Sequence, residues 1–200
     1  MNITIEKMIE GAFKELLQIG SNESKSKLIF PKRRNDDERV SEQEMRFLFV
    51  KQLENQDEFL YSVEAPTAQK YRFKGETEPK QCDTGKSGSV DVCLYKKTDT
   101  ARPVCLIEFK SLNPNPESYS KDFLKLLCDE EGLTNYFVQV IKNSDNGTYK
   151  SIEAKYNNAV KCAKNRTSDL KIFLCNIEKR QIKAYGLING NVEQITCKQL

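Results

Sequence analysis

Charge interrupts an apolar strand in this chain, and that limits how the chain can fold. Val104-Cys105-Leu106-Ile107-Glu108-Phe109-Lys110 has the make-up of a buried strand, yet it holds a carboxylate and an ammonium two residues apart. Side chains alternate along a strand, so Glu108 and Lys110 share one face. Ser89-Val90-Asp91-Val92-Cys93-Leu94-Tyr95 is a second apolar strand, with one acid in it. A charge inside such a strand costs several kcal/mol unless it is paired or bound to a metal. These two strands therefore mark a candidate site.

The polar link from Lys97 to Arg102 is short enough to make the two strands, about 89–96 and 103–110, a β-hairpin. In a hairpin closed symmetrically around position 99 or 100, paired residue numbers sum to about 199, and Asp91 faces Glu108. Opposed side chains have Cβ atoms roughly 4.5–5.5 Å apart. Two carboxylates at that separation repel. A divalent cation between them removes the repulsion and receives the oxygen ligands that Mg²⁺ or Mn²⁺ prefers. Lys110 lies about 6–7 Å further along the same face, where an ammonium can hold a water or stabilise charge growing on a phosphate. The simpler alternative is an amphipathic hairpin whose outer face carries Asp, Glu and Lys. Against it, the flanking positions are apolar on both faces: Val104 and Leu106 beside Glu108, and Cys105, Ile107 and Phe109 opposite. Charge at the C-terminal end of a central strand is where open α/β sheets place their sites.

The rest of the pattern is that of a mixed α/β domain with a central sheet flanked by helices. Ile5, Met8, Ile9, Ala12, Phe13, Leu16 and Leu17 follow helical spacing, and Gly20 stops that helix. Its apolar stripe serves either the domain's own core or a dimer contact. Residues 21–40 are polar and read as a loop. A second helix starts after Ser41, which with Glu44 fits a capping box, while Val40 and Met45 fit a hydrophobic staple. Phe59 to Val63 reads as a strand ended by Pro66, and Gln69 to Phe73 as another short extended piece, followed by a loop over 74–88. Beyond the hairpin, Asn113-Pro114-Asn115-Pro116 is a firm break. Lys121 to Asp129 then has helical spacing, Tyr136 to Ile141 is strand-like, and Asn143 to Gly147 is a turn. A helix is expected over about 151–164, a strand over 172–177, and a final strand pair, 182–187 and 192–196, around Asn189-Gly190.

Composition narrows the chemistry. Two hundred residues suit one domain with a sizeable core. There is no histidine, which removes Ser-His-Asp and Cys-His catalysis and His-ligated zinc. Proton transfer or metal binding has to use carboxylates, lysines, tyrosines or water. The seven cysteines include no Cys-x-x-Cys pair, and Cys93, Cys105 and Cys175 lie in apolar runs, so they read as small hydrophobes rather than a disulfide framework. No apolar run reaches the roughly 18 residues of a membrane span. The charged N-terminal stretch is unlike a signal peptide, so the expected location is the cytoplasm. A net charge of +3 gives no polyelectrolyte signal. The local groups Lys32-Arg33-Arg34 and Lys70, Arg72, Lys74 read as a solvated face or as a phosphate track.

Two motifs mislead. Asp83-Thr84-Gly85 matches the aspartic-protease triplet, but polar Lys80-Gln81-Cys82 precedes it where an apolar strand is needed. Gly85-Lys86-Ser87 resembles the end of a phosphate-binding loop, but Lys80 stands where the first glycine belongs, and a strand follows instead of a helix. Both read as a polar loop leading into the Asp91 strand.

Asp91, sixteen intervening residues and then Glu108-Phe109-Lys110 resemble the PD-(D/E)xK nuclease superfamily, with its restriction-endonuclease-like fold. The resemblance covers roughly residues 41–177 as the nuclease core of a single domain over 1–200, with 1–40 an N-terminal helix and polar loop and 178–200 late strands. Val90 stands where the family usually has proline. Many members add a glutamate from the preceding helix. Glu44 is the preferred candidate here, with Glu42 as substitute and a capping role as the structural alternative for Glu44. The resemblance implies Mg²⁺ (or Mn²⁺) on Asp91 and Glu108, helped by the carbonyl of Phe109, with Lys110 orienting the hydrolytic water. Lys121 and Lys125 on the next helix would either touch the DNA backbone or be surface lysines.

The function so implied is Mg²⁺-dependent hydrolysis of DNA phosphodiester bonds in restriction, defence, mobile-element or repair chemistry, with DNA as partner and a homodimer as one arrangement. A second reading is a non-catalytic nucleic-acid- or protein-binding module on the same fold. A third is an unrelated α/β protein with an acidic surface hairpin.

Overall fold

The computed structural model describes residues 2–22, 24, 26–32, 34, 38–73, 79–142 and 145–200, with side chains from Ile5 onward. Arg33 and Lys74 of the basic groups, and part of the expected turn at 143–147, lie outside the described residues. The chain is α/β, with a mixed eight-stranded sheet flanked by helices. Its elements are α1 (Asn2–Leu16), α2 (Glu42–Glu54), β1 (Phe59–Arg72), β2 (Lys80–Gln81), β3 (Lys86–Lys96), β4 (Cys105–Ser111), α3 (Pro116–Cys128), β5 (Thr134–Ile141), α4 (Asn146–Cys162), β6 (Asp169–Asn176), β7 (Gln181–Ile188) and β8 (Asn191–Gln199).

The strands lie in the order β2-β1-β3-β4-β5-β6-β7-β8. β4, β5 and β6 are parallel to one another, and every other neighbouring pair is antiparallel. The parallel centre follows from connection length: α3 and α4 span the crossovers that parallel strands require. Covered on both faces, β5 has seven consecutive buried residues from Asn135 to Ile141.

Two apolar layers enclose the sheet. Ile5, Ile9, Phe13 and Leu16 of α1 and Met45, Leu48, Phe49 and Leu53 of α2 pack with Val92, Leu94, Ile107 and Phe109. The α1 stripe therefore lies in the domain's own core. Phe123 and Leu127 of α3 and Ile152, Tyr156 and Val160 of α4 cover the other face, with Val90, Cys93, Leu106 and Phe137. All seven cysteines are free. No helix among the described residues is long and apolar enough to cross a membrane.

The hairpin has the expected register. Val92 pairs with Ile107, Cys93 with Leu106 and Leu94 with Cys105. The α2 capping box is also present: the Ser41 side chain accepts from the helix backbone, and Glu44 accepts from the Ser41 amide at 3.0 Å and from its hydroxyl at 2.5 Å.

Other boundaries differ from expectation. β1 does not end at Pro66 but continues to Arg72, with a register shift between Pro66 and Lys70. The partner on its other side, β2, pairs only with Tyr71 and Arg72, so Pro66 lies on an open edge where a missing N–H is tolerated. The irregular stretch is held from α3, where Asp129 accepts from the amides of Ala68 at 3.1 Å and Gln69 at 2.7 Å. α3 starts at Pro116 rather than near Lys121, because Asn115 caps it and Pro116 supplies a first-turn residue that needs no N–H partner. α4 likewise begins earlier than expected, capped by Asp145. Gly85 belongs to a tight turn: a Cβ there would lie 2.4 Å from the Tyr71 carbonyl oxygen, so backbone crowding explains the glycine that resembled a phosphate loop.

Candidate functional site

The C-terminal end of β4 is where helices from both layers meet the sheet. Asp91 lies one position beyond the last ladder pair, Val92–Ile107, and its Oδ2 accepts the Phe109 amide at 2.7 Å. A carboxylate thus replaces a backbone partner where β3 and β4 separate. Its other oxygen meets Arg46 of α2 at 3.2 Å, and Arg46 also binds Glu64 of β1 at 2.5 Å. Burial raises the Asp91 pKa, and the Phe109 amide, Arg46 and Lys125 offset only part of that rise.

Glu108 is 3% exposed and forms an ion pair with Lys125 of α3. The Lys125 ammonium also lies 3.1 Å from Asp122 and donates to the Ser89 carbonyl at 2.8 Å. Asp122 in turn meets Lys110 at 2.9 Å. Alternating charges therefore run Glu108, Lys125, Asp122, Lys110 between β4 and one face of α3. In this chain Oε1 of Glu108 is met by Lys125 and Oδ2 of Asp122 by Lys110. Burial pushes Glu108 well above the usual carboxylate range, with Asp122 and Asp91 acting in the same direction and Lys125 against them. Lys125 is raised as well: burial lowers it, but Glu108 and Asp122 outweigh that. Both directions mean that the pair gives up its proton reluctantly. Lys110 is also raised, since Asp122, Glu42 and Glu108 outweigh its burial. It is therefore a fixed cation at neutral pH and not a proton acceptor.

The helix glutamate that reaches this cluster is Glu42, not Glu44. Glu44 is committed to the capping box, in the same first turn as Glu42 but on another side of the helix. Two residues on an α-helix point about 200° apart, so both cannot face the same neighbour. Burial raises Glu42; Lys110 and the Ser111 amide lower it, and Asp91 and Asp122 raise it further. These interactions place Glu42 at the C-terminal end of β4.

The two helix lysines also separate. Lys121 pairs with Glu117 one turn away at 2.7 Å and is a surface residue. Lys125 is 8% exposed and faces Glu108, so it is not available to a DNA backbone in this arrangement. Asp122 was not among the expected site residues. Its signal is an acid and a lysine three apart on the helix that directly follows the Glu-x-Lys strand, both bordering the apolar stripe of Phe123, Leu124 and Leu127.

Glu42, Asp91 and Glu108 offer oxygen donors, the ligand type that Mg²⁺ or Mn²⁺ prefers. Oε1 of Glu108 and Oδ2 of Asp122 are each already met by a lysine ammonium, so a metal at either oxygen has to displace or share that contact. In the arrangement described, each of Asp91, Glu108 and Asp122 is held by a protein cation, and no three acidic or thiol side chains among the described residues converge at metal-ligand spacing. Compared with family models, curated proteins and solved structures, the chain matches none.

Proposed function

We propose that this protein is a Mg²⁺- or Mn²⁺-dependent deoxyribonuclease of the restriction-endonuclease-like class. One observation carries the reading. Asp91 and the Glu108-Phe109-Lys110 triplet lie on adjacent antiparallel strands, with Glu42 arriving from the preceding helix, in the order helix, four antiparallel strands (one of them the two-residue β2), helix, parallel strand. Asp91, Glu108 and the Phe109 carbonyl are the groups that would hold the metal, with Glu42 beside them. A bound divalent cation supplies Lewis-acid stabilisation of charge on a scissile phosphate.

The chain's own residues account for the rest of the chemistry. Lys110, kept protonated by Asp122 and its neighbours, orients a water through its N–H donors and stabilises the negative charge that grows as the water oxygen attacks phosphorus. The P–O bond to the leaving oxygen breaks in line with that attack, and the attacking water loses its proton to solvent. Asp122 is a positioning residue: it sets the direction of the Lys110 ammonium and does not itself touch the reacting atoms.

The test is cleavage of supercoiled plasmid and of single-stranded DNA, with Mg²⁺ and with EDTA. Wild type is expected to cut only with metal. Asp91→Ala and Lys110→Ala are each expected to lose about 10²–10³-fold, the usual cost of removing one charge-stabilising group. Equal cutting by wild type and Asp91→Ala would end the catalytic reading. The ion-paired state of the carboxylates favours a second reading, a metal-free binding module on this fold. Its signature is DNA or protein binding with no Mn²⁺ uptake in calorimetry.

A further inference from the structure

The Lys125 ammonium has three hydrogens and meets three acceptor groups: Glu108, Asp122 and the Ser89 carbonyl. Two of these, Asp122 and Ser89, hold it independently of Glu108. Glu108 has no other cation within ion-pair distance among the described residues. A buried carboxylate needs a counter-charge or a proton, so whatever withdraws Lys125 from Glu108 has to bring one or the other, and a divalent metal brings the counter-charge. The ammonium is therefore anchored well enough to stay in place after releasing Glu108, and the released carboxylate is then ready for a metal.

We propose that Lys125 is a resident counter-cation that competes with the divalent metal for Glu108, so that metal binding is an exchange in which the ammonium withdraws onto Asp122 and the Ser89 carbonyl. The inference rests on the metal-dependent reading above. In the exchange no covalent bond changes: one ion pair opens, and one metal–carboxylate contact forms. Lys125 keeps the buried acid neutralised when metal is absent and lowers the apparent metal affinity by the fraction of time it occupies Glu108. Lys110 stays on the opposite oxygen of Asp122 throughout, so the cation assigned to the water does not move.

Calorimetric titration with Mn²⁺, without DNA, tests the exchange on wild type, Lys125→Met and Lys125→Gln. If Lys125 occupies Glu108 for nine-tenths of the time, both variants bind Mn²⁺ about tenfold more tightly than wild type. Mn²⁺ also raises their melting temperature by more than it raises that of wild type. Lys125→Gln keeps a hydrogen-bonding side chain and guards against loss of folding in Lys125→Met. A wild-type measurement needs no variant: in protein labelled with ¹⁵N-lysine, the Lys125 ammonium signal shifts on adding Mg²⁺. Uptake by the variants with little or none by wild type also supports the exchange. Equal or weaker Mn²⁺ binding by both variants, or an unmoved ammonium signal in metal-loaded wild type, overturns the exchange and leaves the nuclease reading standing. No uptake by any of the three proteins overturns both.

Discussion

Two polar clusters are buried beside β4, and they are built on opposite principles. Around Gln139, which is fully buried on β5, the bonding is neutral and closed: its amide nitrogen donates to the Leu112 carbonyl and to the Tyr119 hydroxyl at 2.7 Å, while the Tyr156 hydroxyl donates to its oxygen at 2.5 Å. Around Glu108 the groups are charged, and each carboxylate is held by a cation rather than by a neutral partner. The first network secures the left-handed turn at Leu112, just beyond Lys110, and leaves nothing over. The second keeps four carboxylates near one another and balances them with lysines and an arginine. Satisfied neutral networks hold a fold together, whereas buried clusters of ionised groups with shifted pKa values concentrate at functional sites.

Removing one partner from each cluster should separate them, and the charged one is expected to respond more. Lys125→Met strands Glu108 and is expected to cost about 3–5 kcal/mol of stability in EDTA. The double variant Glu108→Leu/Lys125→Met should recover most of that loss, because the buried charges go together. Urea unfolding of both proteins checks this, and a double variant no more stable than Lys125→Met would mean that the pair is not the source. Gln139→Leu removes the partner of the Leu112 carbonyl and of the Tyr156 hydroxyl, while the Tyr119 hydroxyl keeps Asn113, and is expected to cost about 1–3 kcal/mol. Its Mn²⁺ affinity should stay at the wild-type value, so a large drop would join the two clusters into one functional unit.

A smaller effect distinguishes the two glutamates of α2. Glu44→Ala opens the capping box, at a cost of about 1 kcal/mol by thermal melting, with cleavage unchanged. Glu42→Ala should leave the melting temperature nearly unchanged and lower cleavage. The reverse result would return Glu44 to the site. The smallest expected effect is on pH dependence. Glu42 has a raised pKa in the folded chain, so it contributes stability below its unfolded value, and that contribution fades as pH rises through the raised value. Glu42→Gln should therefore gain on wild type in melting temperature over that window. A difference that is flat with pH would show that neither burial nor the neighbouring Asp91 and Asp122 raises Glu42.

Where one local rule governed, the sequence was legible. The Ser41–Glu44 capping box, the hairpin register from Leu94–Cys105 to Val92–Ile107, and the turn at Asn189-Gly190, where both residues have positive φ, follow from contacts a few residues apart. Misreadings came where long-range contacts overrode local signals. Pro66 reads as a strand end, but an open edge and the Asp129 carboxylate of α3 let β1 continue. Pro116 reads as a break, but a cap turns it into the first residue of a helix. Glu44 was legible as a cap, and helical geometry alone then directs Glu42 elsewhere; what lies in that direction is decided by the packing of α2 on the sheet.

The amino-acid order alone determined that charge lies in buried strands, that β3 and β4 pair in the register of Val92 with Ile107, and that histidine chemistry is excluded, because alternation, turn length and composition are properties of the chain itself. Only the tertiary structure decided that Lys125 is an internal counter-ion rather than a surface lysine, that Asp122 links it to Lys110, and that Glu42 completes the cluster. These assignments depend on how α2 and α3 are placed against the end of β4. That placement is set by the two apolar layers as a whole and by no short stretch of sequence.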